Sequence, residues 1–271
     1  MLAPIDPRQP ARVLLLGGTS EAVQLATMLA PMMNLTVITS LAGRVAQPRL
    51  PDGIVRIGGF GGVDGFTSYL REESISAVLD VTHPFAAQIS RNAAQACSNL
   101  ALPLLTFERP QWTPVEGDRW THVADVPEAA SFVARKLVAG GKARIFLSIG
   151  RQEVGAFAQC EEPWFLIRSI DRPVDPLPLR SKIILDRGPF DLAAESTMLR
   201  EQSIDLVITK NSGGSATYPK VAAARELKID VLMIDRPQRP WIAPISDLAE
   251  LVDILLQTLD SRFANRSRNT L

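Results

Sequence analysis

The chain has 271 residues, which is long for one compact α/β domain and suits two domains of about 100–150 residues each. Hydrophobic residues make up 46% and charged residues 21%, a globular composition that excludes a disordered, fibrous or coiled-coil chain. The 29 basic residues balance the 29 acidic ones, so no net charge draws the protein to nucleic acid or to an anionic membrane.

The cysteine content and the apolar runs bear on compartment and metal content. Cys97 and Cys160 are far apart in the chain, with no second thiol or histidine at metal-ligand spacing. We therefore predict neither a disulfide framework nor a metal site, and a cytoplasmic location. No apolar run approaches the roughly 18 residues of a membrane span, and residues 1–7 lack the charged and apolar parts of a signal peptide. We expect no membrane association.

In the first half of the chain, short β-branched runs alternate with amphipathic stretches, which is typical of a parallel sheet with crossover helices. The predicted strands cover residues 12–16, 35–39, 54–57, 77–81 and 102–106, and the predicted helices cover 21–29, 63–72 and 86–99. Prolines and Trp112 within residues 107–118 predict a linker.

The second half repeats the alternation without a sequence repeat. Its predicted strands are 143–148, 164–169, 182–185, 205–209 and 230–234, and its predicted helices are 127–137, 192–201, 219–227 and 245–259. Residues 1–11 and 261–271 read as tails. We therefore predict an α/β protein with two Rossmann-like domains and parallel sheets. We expect residues 1–110 to form the first domain, and residues 111–271, the final helix included, to form the second.

The first predicted strand runs directly into a glycine pair and a helix start. Glycines permit a tight turn and the close approach of a pyrophosphate, which faces the N–H groups of the helix N-terminus. The predicted cofactor-binding residues are Gly17, Gly18, Thr19, Ser20 and Glu21. The loop departs from the GxGxxG pattern, because only its first two positions are glycine and Glu21 adds a negative charge. The alternative is an ordinary glycine turn capped by Thr19 or Ser20.

The second predicted strand is followed by Ser40 and Arg44, where an NAD site presents Asp or Glu to the ribose 2′-hydroxyl. A hydroxyl and a guanidinium suit a 2′-phosphate instead. Together with the first loop they favour NADPH as the cofactor. The alternative is a solvated Arg44 on a surface loop.

The third and fourth predicted strands end in a glycine-rich segment around Phe60 and in Thr82-His83. Open α/β sheets bind ligands at the carboxyl ends of their strands, so we expect both segments to line one crevice. Gly59, Phe60, Thr82 and His83 are therefore further cofactor-binding candidates. The alternatives are a flexible glycine turn and a histidine that Pro84 holds extended.

Two loops of the second half place glycine beside a cation. Lys210, Ser212 and Gly213 follow one predicted strand, and Arg151 follows Gly150 in a matching loop. A carboxylated substrate could bind between them, which makes these four residues the substrate-binding candidates. The alternative is a pair of capped turns with solvated Lys210 and Arg151.

Four segments together resemble the precorrin-6A reductase family of cobalamin biosynthesis. They are residues 17–22, 40–44, 80–86 and 210–214, and the resemblance extends from residue 12 to about residue 259. It implies an NADPH-dependent reductase with two α/β domains, of which residues 1–110 form the NADP-binding domain, and with the dinucleotide in an inter-domain cleft. The implied substrate is a polycarboxylated corrin precursor, which receives a hydride at its C18–C19 double bond to give precorrin-6B. Hand-over with neighbouring pathway enzymes is a further expectation.

Hydride addition also requires a proton at the neighbouring carbon. His83 and Lys210 are the catalytic candidates, since either could supply that proton or polarise the conjugated system, and solvent is a third source. One alternative function is a non-catalytic NADP(H)-sensing protein, which would not need the two cationic loops. A short-chain dehydrogenase is a weaker alternative, because Tyr218 and Lys220 lack the Tyr-x-x-x-Lys spacing.

Overall fold

The structure is a computed structural model that describes residues 10–43, 50–51, 53–137, 143–174, 176–239 and 243–268. It divides the chain into two compact units. The first unit consists of Met1–Arg109 together with Gln238–Leu271, and the second is Pro110–Pro237. Each unit is built on one parallel six-stranded sheet, which confirms the predicted α/β class.

The first unit is a doubly wound sheet with helices on both faces. Numbered along the chain, its strands are β1 (Ala11–Leu16), β2 (Leu35–Leu41), β3 (Ile54–Ile57), β4 (Ala77–Asp80), β5 (Leu104–Phe107) and β12 (Pro244–Ile245). Its helices are α1 (Ser20–Leu29), α2 (Gly62–Glu72), α3 (Ala87–Leu100) and α7 (Leu248–Arg268). The strand order β12-β5-β4-β1-β2-β3 reverses between β1 and β4, which creates a topological switch point there.

The central strand β1 is buried on both faces because helices cover both sides of the sheet. Val13 and Leu15 point into the core beneath α1 and α7. Leu14 and Leu16 point into the opposite core, which α2 and α3 cover. This burial explains why β1 is a continuous aliphatic run rather than an alternating one.

The final helix belongs to the first unit, which corrects our assignment of it to the second domain. Leu251, Leu255 and Leu259 of α7 are buried in the same core as Leu25 and Leu29 of α1. The short strand β12 precedes α7 and adds to the edge of the first sheet by pairing with β5. The composition of α7 does not show which sheet the helix packs against, because both sheets have apolar faces.

The second unit has the same layered construction. Its strands are β6 (Trp120–Val123), β7 (Arg144–Ser148), β8 (Trp164–Ser169), β9 (Ser181–Leu185), β10 (Leu206–Lys210) and β11 (Asp230–Ile234). Its helices are α4 (Val126–Leu137), α5 (Leu192–Glu201) and α6 (Pro219–Glu226), with a 3-10 turn at Val154–Phe157. The strand order β6-β11-β10-β7-β8-β9 reverses between β7 and β10, so the second switch point lies there.

A buried ion pair connects the sheet of the second unit to a helix. Arg168 of β8 and Glu195 of α5 are each 4% exposed at the side chain, and Arg168 Nη2 donates to Glu195 Oε2 at 2.8 Å. The guanidinium also stacks on Phe190, 3.7 Å from the ring centroid. The pair satisfies two charges that the core could not otherwise accommodate.

The structure contains two strands that we did not predict, β6 and β12. The final helix begins at Leu248 rather than at residue 245, because residue 245 is in β12, and it continues to Arg268 into the expected tail. Among the described residues, no helix combines the length and apolar character that a membrane span requires.

Candidate functional site

The loop between β1 and α1 leaves open space in front of its glycine pair. Gly17 N donates to Ser40 O at 3.0 Å, which fixes the loop to the end of β2. A Cβ on Gly17 would lie 3.2 Å from Thr39 Cγ2, so this position has little room. Gly18 has a φ of +108°, and a Cβ added to it would meet nothing within 4 Å. The loop therefore exposes backbone where a ligand could approach.

Thr19 joins the two loops that flank the first switch point. Its Oγ1 donates to Val81 O at 2.7 Å and accepts from Ala22 N at 3.1 Å. The second bond makes Thr19 the N-cap of α1, as the capping alternative anticipated. Thr19 thus holds the loop after β1 against the end of β4.

Glu21 in the first turn of α1 is paired with a cation. Arg109 Nη1 lies 2.8 Å from Glu21 Oε1, and Ser20 Oγ donates to the other carboxylate oxygen at 3.0 Å. Burial alone would raise the pKa of Glu21, but the charge and hydrogen bond of Arg109, helped by Ser20, leave that pKa below its usual value. Arg109 is a residue that our sequence analysis missed.

The ends of β2 and β3 meet through an arginine that we also missed. Arg56 Nη1 donates to Ser40 Oγ at 2.8 Å, and Arg56 Nη2 donates to Gly59 O at 3.0 Å. Its guanidinium lies over the ring of Phe60, 3.9 Å from the centroid. Three of the predicted cofactor-binding residues thus share one partner. Arg44, the predicted cation of this region, lies outside the described residues.

Thr82 and His83 follow β4 in a loop with fixed geometry. Asp80 Oδ1 accepts from Thr82 N at 3.1 Å and from Thr82 Oγ1 at 2.6 Å, so Asp80 fixes the start of this loop. His83 Nδ1 accepts from Phe85 N at 3.2 Å, which places the proton of a neutral imidazole on Nε2. Arg239 donates to His83 O at 3.0 Å. This arginine belongs to the C-terminal part of the first unit and anchors the loop.

Cys97 is a buried residue of α3, and its thiol is unreactive at neutral pH. Burial, together with the nearby charge of Asp80, raises the pKa of the Cys97 thiol to about 12. Burial also raises the pKa of Cys160, and both cysteines are free thiols. Neither residue is a candidate nucleophile.

In the second unit, the loop after β10 is tied to the segment that begins at Pro110. The Asn211 side chain accepts from Trp112 N at 2.9 Å and donates to Trp112 O at 3.0 Å. Trp112 Nε1 donates to Gly214 O at 2.8 Å, and Arg236 Nε donates to Asn211 O at 2.8 Å. These residues hold the loop in place and leave Lys210, Ser212 and Gly213 as its substrate-binding candidates.

Lys210 lies at the second switch point and has an acidic partner. Lys210 is 8% exposed, and its ammonium forms an ion pair with Glu153. Glu153 lies shortly after the end of β7. The pair connects the two loops that we expected to face a carboxylated substrate. Gly150 has a φ of +86°, and the partly exposed Arg151 follows it in the loop. Glu153 was absent from our sequence candidates, because a single glutamate in this segment forms no recognisable motif.

Ser212 and Gly213 complete this loop. Ser212 N donates to Lys210 O at 2.7 Å, and Gly213 has a φ of +67°, so the chain turns sharply directly after the lysine. No group of three or more His, Cys, Asp or Glu residues in the described ranges could hold a metal ion.

Two doubly wound parallel sheets, each with a switch point in its strand order, define the chain as a Rossmann-like α/β protein. Residues 12–256 match the family model described as "Precorrin-6x reductase CbiJ/CobK", and the chain belongs to that family.

Individual relatives agree with the family model. The chain is 50% identical over 229 residues to a precorrin-6A reductase of Rhodococcus erythropolis, a match that covers 84% of this chain and 90% of the relative. It is 46% identical over 226 residues to a precorrin-6A reductase of a Sinorhizobium species, covering 83% and 85%. A solved structure named CobK precorrin-6A reductase superposes with a TM-score of 0.82 and 39% identity, covering 92% and 97%.

Proposed function

We propose that this protein is a precorrin-6A reductase, which uses NADPH to reduce the C18–C19 double bond of precorrin-6A to give precorrin-6B in cobalamin biosynthesis. The 50% identity to the Rhodococcus erythropolis enzyme over 84% of this chain carries the proposal. The family-model match spans residues 12–256, so it includes the loops after β1, β4 and β10 that hold our site candidates.

The residues of the first unit fit a dinucleotide. Gly18 presents backbone with open space before it, and α1 directs its N-terminal N–H groups to the same end of the sheet. Glu21 would repel a pyrophosphate, but its ion pair with Arg109 balances that charge. When bound, NADPH supplies the hydride.

The same unit offers groups to the rest of the cofactor. Four candidates follow β3 and β4 at the carboxyl edge of the sheet: Gly59, Phe60, Thr82 and His83. Ser40 is the penultimate residue of β2 at the same edge. We assign these residues to the cofactor together with Gly17, Gly18, Thr19 and Ser20. Their contribution is to hold the reacting carbon of the cofactor at a fixed position and to exclude water.

The loops of the second unit are proposed to bind the substrate. Precorrin-6A carries carboxylate arms, and Arg151 is the partly exposed cation of the loop after β7. Lys210 is largely buried and already balanced by Glu153, so it suits a role toward the reacting atoms better than a role as a first anchor for a carboxylate.

Reduction adds a hydride to one carbon of the double bond and a proton to its neighbour. Lys210 can donate that proton from an ammonium whose charge Glu153 supports. His83 can donate it from Nε2, because its Nδ1 accepts a backbone N–H. The proton then returns from solvent, so the chain is unchanged after one turnover.

We place the reaction in the cytoplasm, which the two free and buried thiols support. In the proposed route, other enzymes make the substrate and consume the product. We therefore also propose hand-over with those neighbours, which transfer measurements between purified enzymes would test.

The proposal is tested by mixing the protein anaerobically with NADPH and precorrin-6A and following NADPH absorbance and product mass. Consumption of one NADPH per macrocycle supports the reductase. Binding of NADPH without turnover of either the metal-free or the cobalt form would instead support an NADP(H)-sensing protein. The two macrocycle forms, compared in the same assay, identify the true substrate.

A further inference from the structure

Arg56 is the penultimate residue of β3 and lies directly beside Ser40 in the register of β2 and β3. Both residues therefore sit at the carboxyl edge of the first sheet. This edge carries the glycine loop after β1, and Gly17 N also bonds to Ser40 O. The guanidinium is thus placed near the expected cofactor loop by three neighbouring strands.

Hydrogen bonds fix the plane of this guanidinium. Arg56 Nη1 donates to Ser40 Oγ at 2.8 Å and to Gly58 O at 3.0 Å. Arg56 Nη2 donates to Gly59 O at 3.0 Å. A fork held in this way loses little freedom when it binds a further acceptor, so it is organised in advance for a ligand.

Two aromatic rings pack against the guanidinium of Arg56. Its central carbon lies 3.9 Å from the Phe60 ring centroid and 4.9 Å from that of Tyr69. Phe60 in turn packs on the buried Phe66, with ring centroids 4.0 Å apart. The rings cover the apolar face of the guanidinium and leave its edge for polar partners.

The charge of Arg56 has no acidic partner within the described part of the chain. Its hydrogen-bond acceptors there are one hydroxyl and two carbonyl groups. Arg12, Arg109 and Arg168, in contrast, each form an ion pair with a glutamate. A rigid arginine with neutral partners, next to a hydroxyl, is a typical anion-binding arrangement.

We propose that Arg56, together with Ser40, binds the 2′-phosphate of the dinucleotide and so selects NADPH over NADH. The inference rests on the proposed use of NADPH and goes beyond it by naming the residue that discriminates. A dinucleotide in a doubly wound fold places its adenosine ribose at the end of the second strand, which is where Ser40 lies. A guanidinium at that point replaces the acidic residue of an NAD site.

The test compares NADPH and NADH affinity, by fluorescence titration, in the full chain and in four variants. We expect Arg56→Met to weaken NADPH by about tenfold or more and to change NADH by less than about twofold, because the lost bonds are charge-assisted. Arg56→Lys keeps the charge but not the fork, so it should restore part of the preference. Arg12→Met, at the opposite end of the sheet, is the matched control, and Arg44→Ala tests the cation that the sequence predicted for this role.

The outcomes separate this inference from the proposed cofactor. An equal loss of NADPH and NADH in Arg56→Met would show that Arg56 only holds its loop, which overturns the inference. An unchanged preference in Arg56→Met, or one abolished by Arg44→Ala alone, would overturn it while leaving NADPH as the cofactor. A parent protein that binds both dinucleotides equally would overturn the cofactor assignment as well.

Discussion

Arg109 Nη1 lies 2.8 Å from Glu21 Oε1, and this ion pair joins the segment after β5 to the first turn of α1. The two side chains are 16% and 20% exposed, so water screens the pair only partly. A carboxylate at a helix N-terminus is favourable for the helix but unfavourable for a bound pyrophosphate. The ion pair with Arg109 would balance this charge in the proposed NADPH complex.

We expect Glu21→Gln to destabilise the folded protein by about 1 kcal/mol at neutral pH. The folded protein lowers the pKa of Glu21, so the stabilisation is complete above the usual carboxyl pKa and is lost as the pH falls through the lowered value. Urea titrations at neutral and at strongly acidic pH measure both values. A Glu21→Gln defect that persists unchanged in strong acid, or that adds fully to the defect of Arg109→Met, would contradict the pairing.

The open space at Gly18 gives a prediction for cofactor binding. We expect Gly18→Ala to weaken NADPH binding by about tenfold or more, because the new methyl group occupies the space before the loop. Its positive φ also costs stability, about 1 kcal/mol. Gly53→Ala is the matched control, since Gly53 has a φ of +98° with room for a Cβ but precedes β3 at the other end of the sheet. Equal NADPH titrations for the two variants would mean that the loop is only a turn.

Asn211 is expected to contribute stability rather than catalysis. Asn211→Ala removes two hydrogen bonds from the backbone of Trp112 and should lower the free energy of unfolding by about 2 kcal/mol. Ser212→Ala in the same loop should change it by less than about 0.5 kcal/mol. Thermal and chemical unfolding of both variants check the difference. Similar stabilities would remove Asn211 from its anchoring role.

Substitutions of Lys210 and Arg151 should affect different steady-state constants. We expect Lys210→Met to lower kcat by about tenfold or more with little change in KM, because the variant loses the group that is proposed to supply the proton. Arg151→Met should instead raise KM, as the loss of a substrate anchor does. A raised KM with unchanged kcat for Lys210→Met would make Lys210 an anchor. Parent-like constants for both variants would remove the two residues from substrate binding and from catalysis.

Most elements of the fold were predictable because their patterns are local. β3, β8, β11 and α5 have the predicted bounds, since each is a short apolar or amphipathic run between turn signals. β6 was not, because its four residues form an edge strand whose exposed positions break the apolar pattern. β12 has only two residues, and its partner β5 lies far away in the sequence.

The candidate site could be predicted only where its residues are close together in the sequence. A glycine pair after a predicted strand, such as Gly17-Gly18, is visible in the sequence itself. The pairing of Asn211 with Trp112 spans 99 residues, and that of Arg109 with Glu21 spans 88. Arg56 carries no local signal either, because its role follows from the register that sets it beside Ser40. Such partners become visible only once the sheet order is known.

Transfer of deuterium from the cofactor to the macrocycle tests the central claim most directly. NADPH labelled at nicotinamide C4 on each face in turn is incubated anaerobically with the protein and precorrin-6A, and the product is examined by mass spectrometry and NMR. We predict one deuterium at the reduced C18–C19 position for one of the two labelled faces. Product formed without deuterium from either face, or labelled NADPH left unconsumed while it remains bound, would contradict direct hydride transfer by this protein.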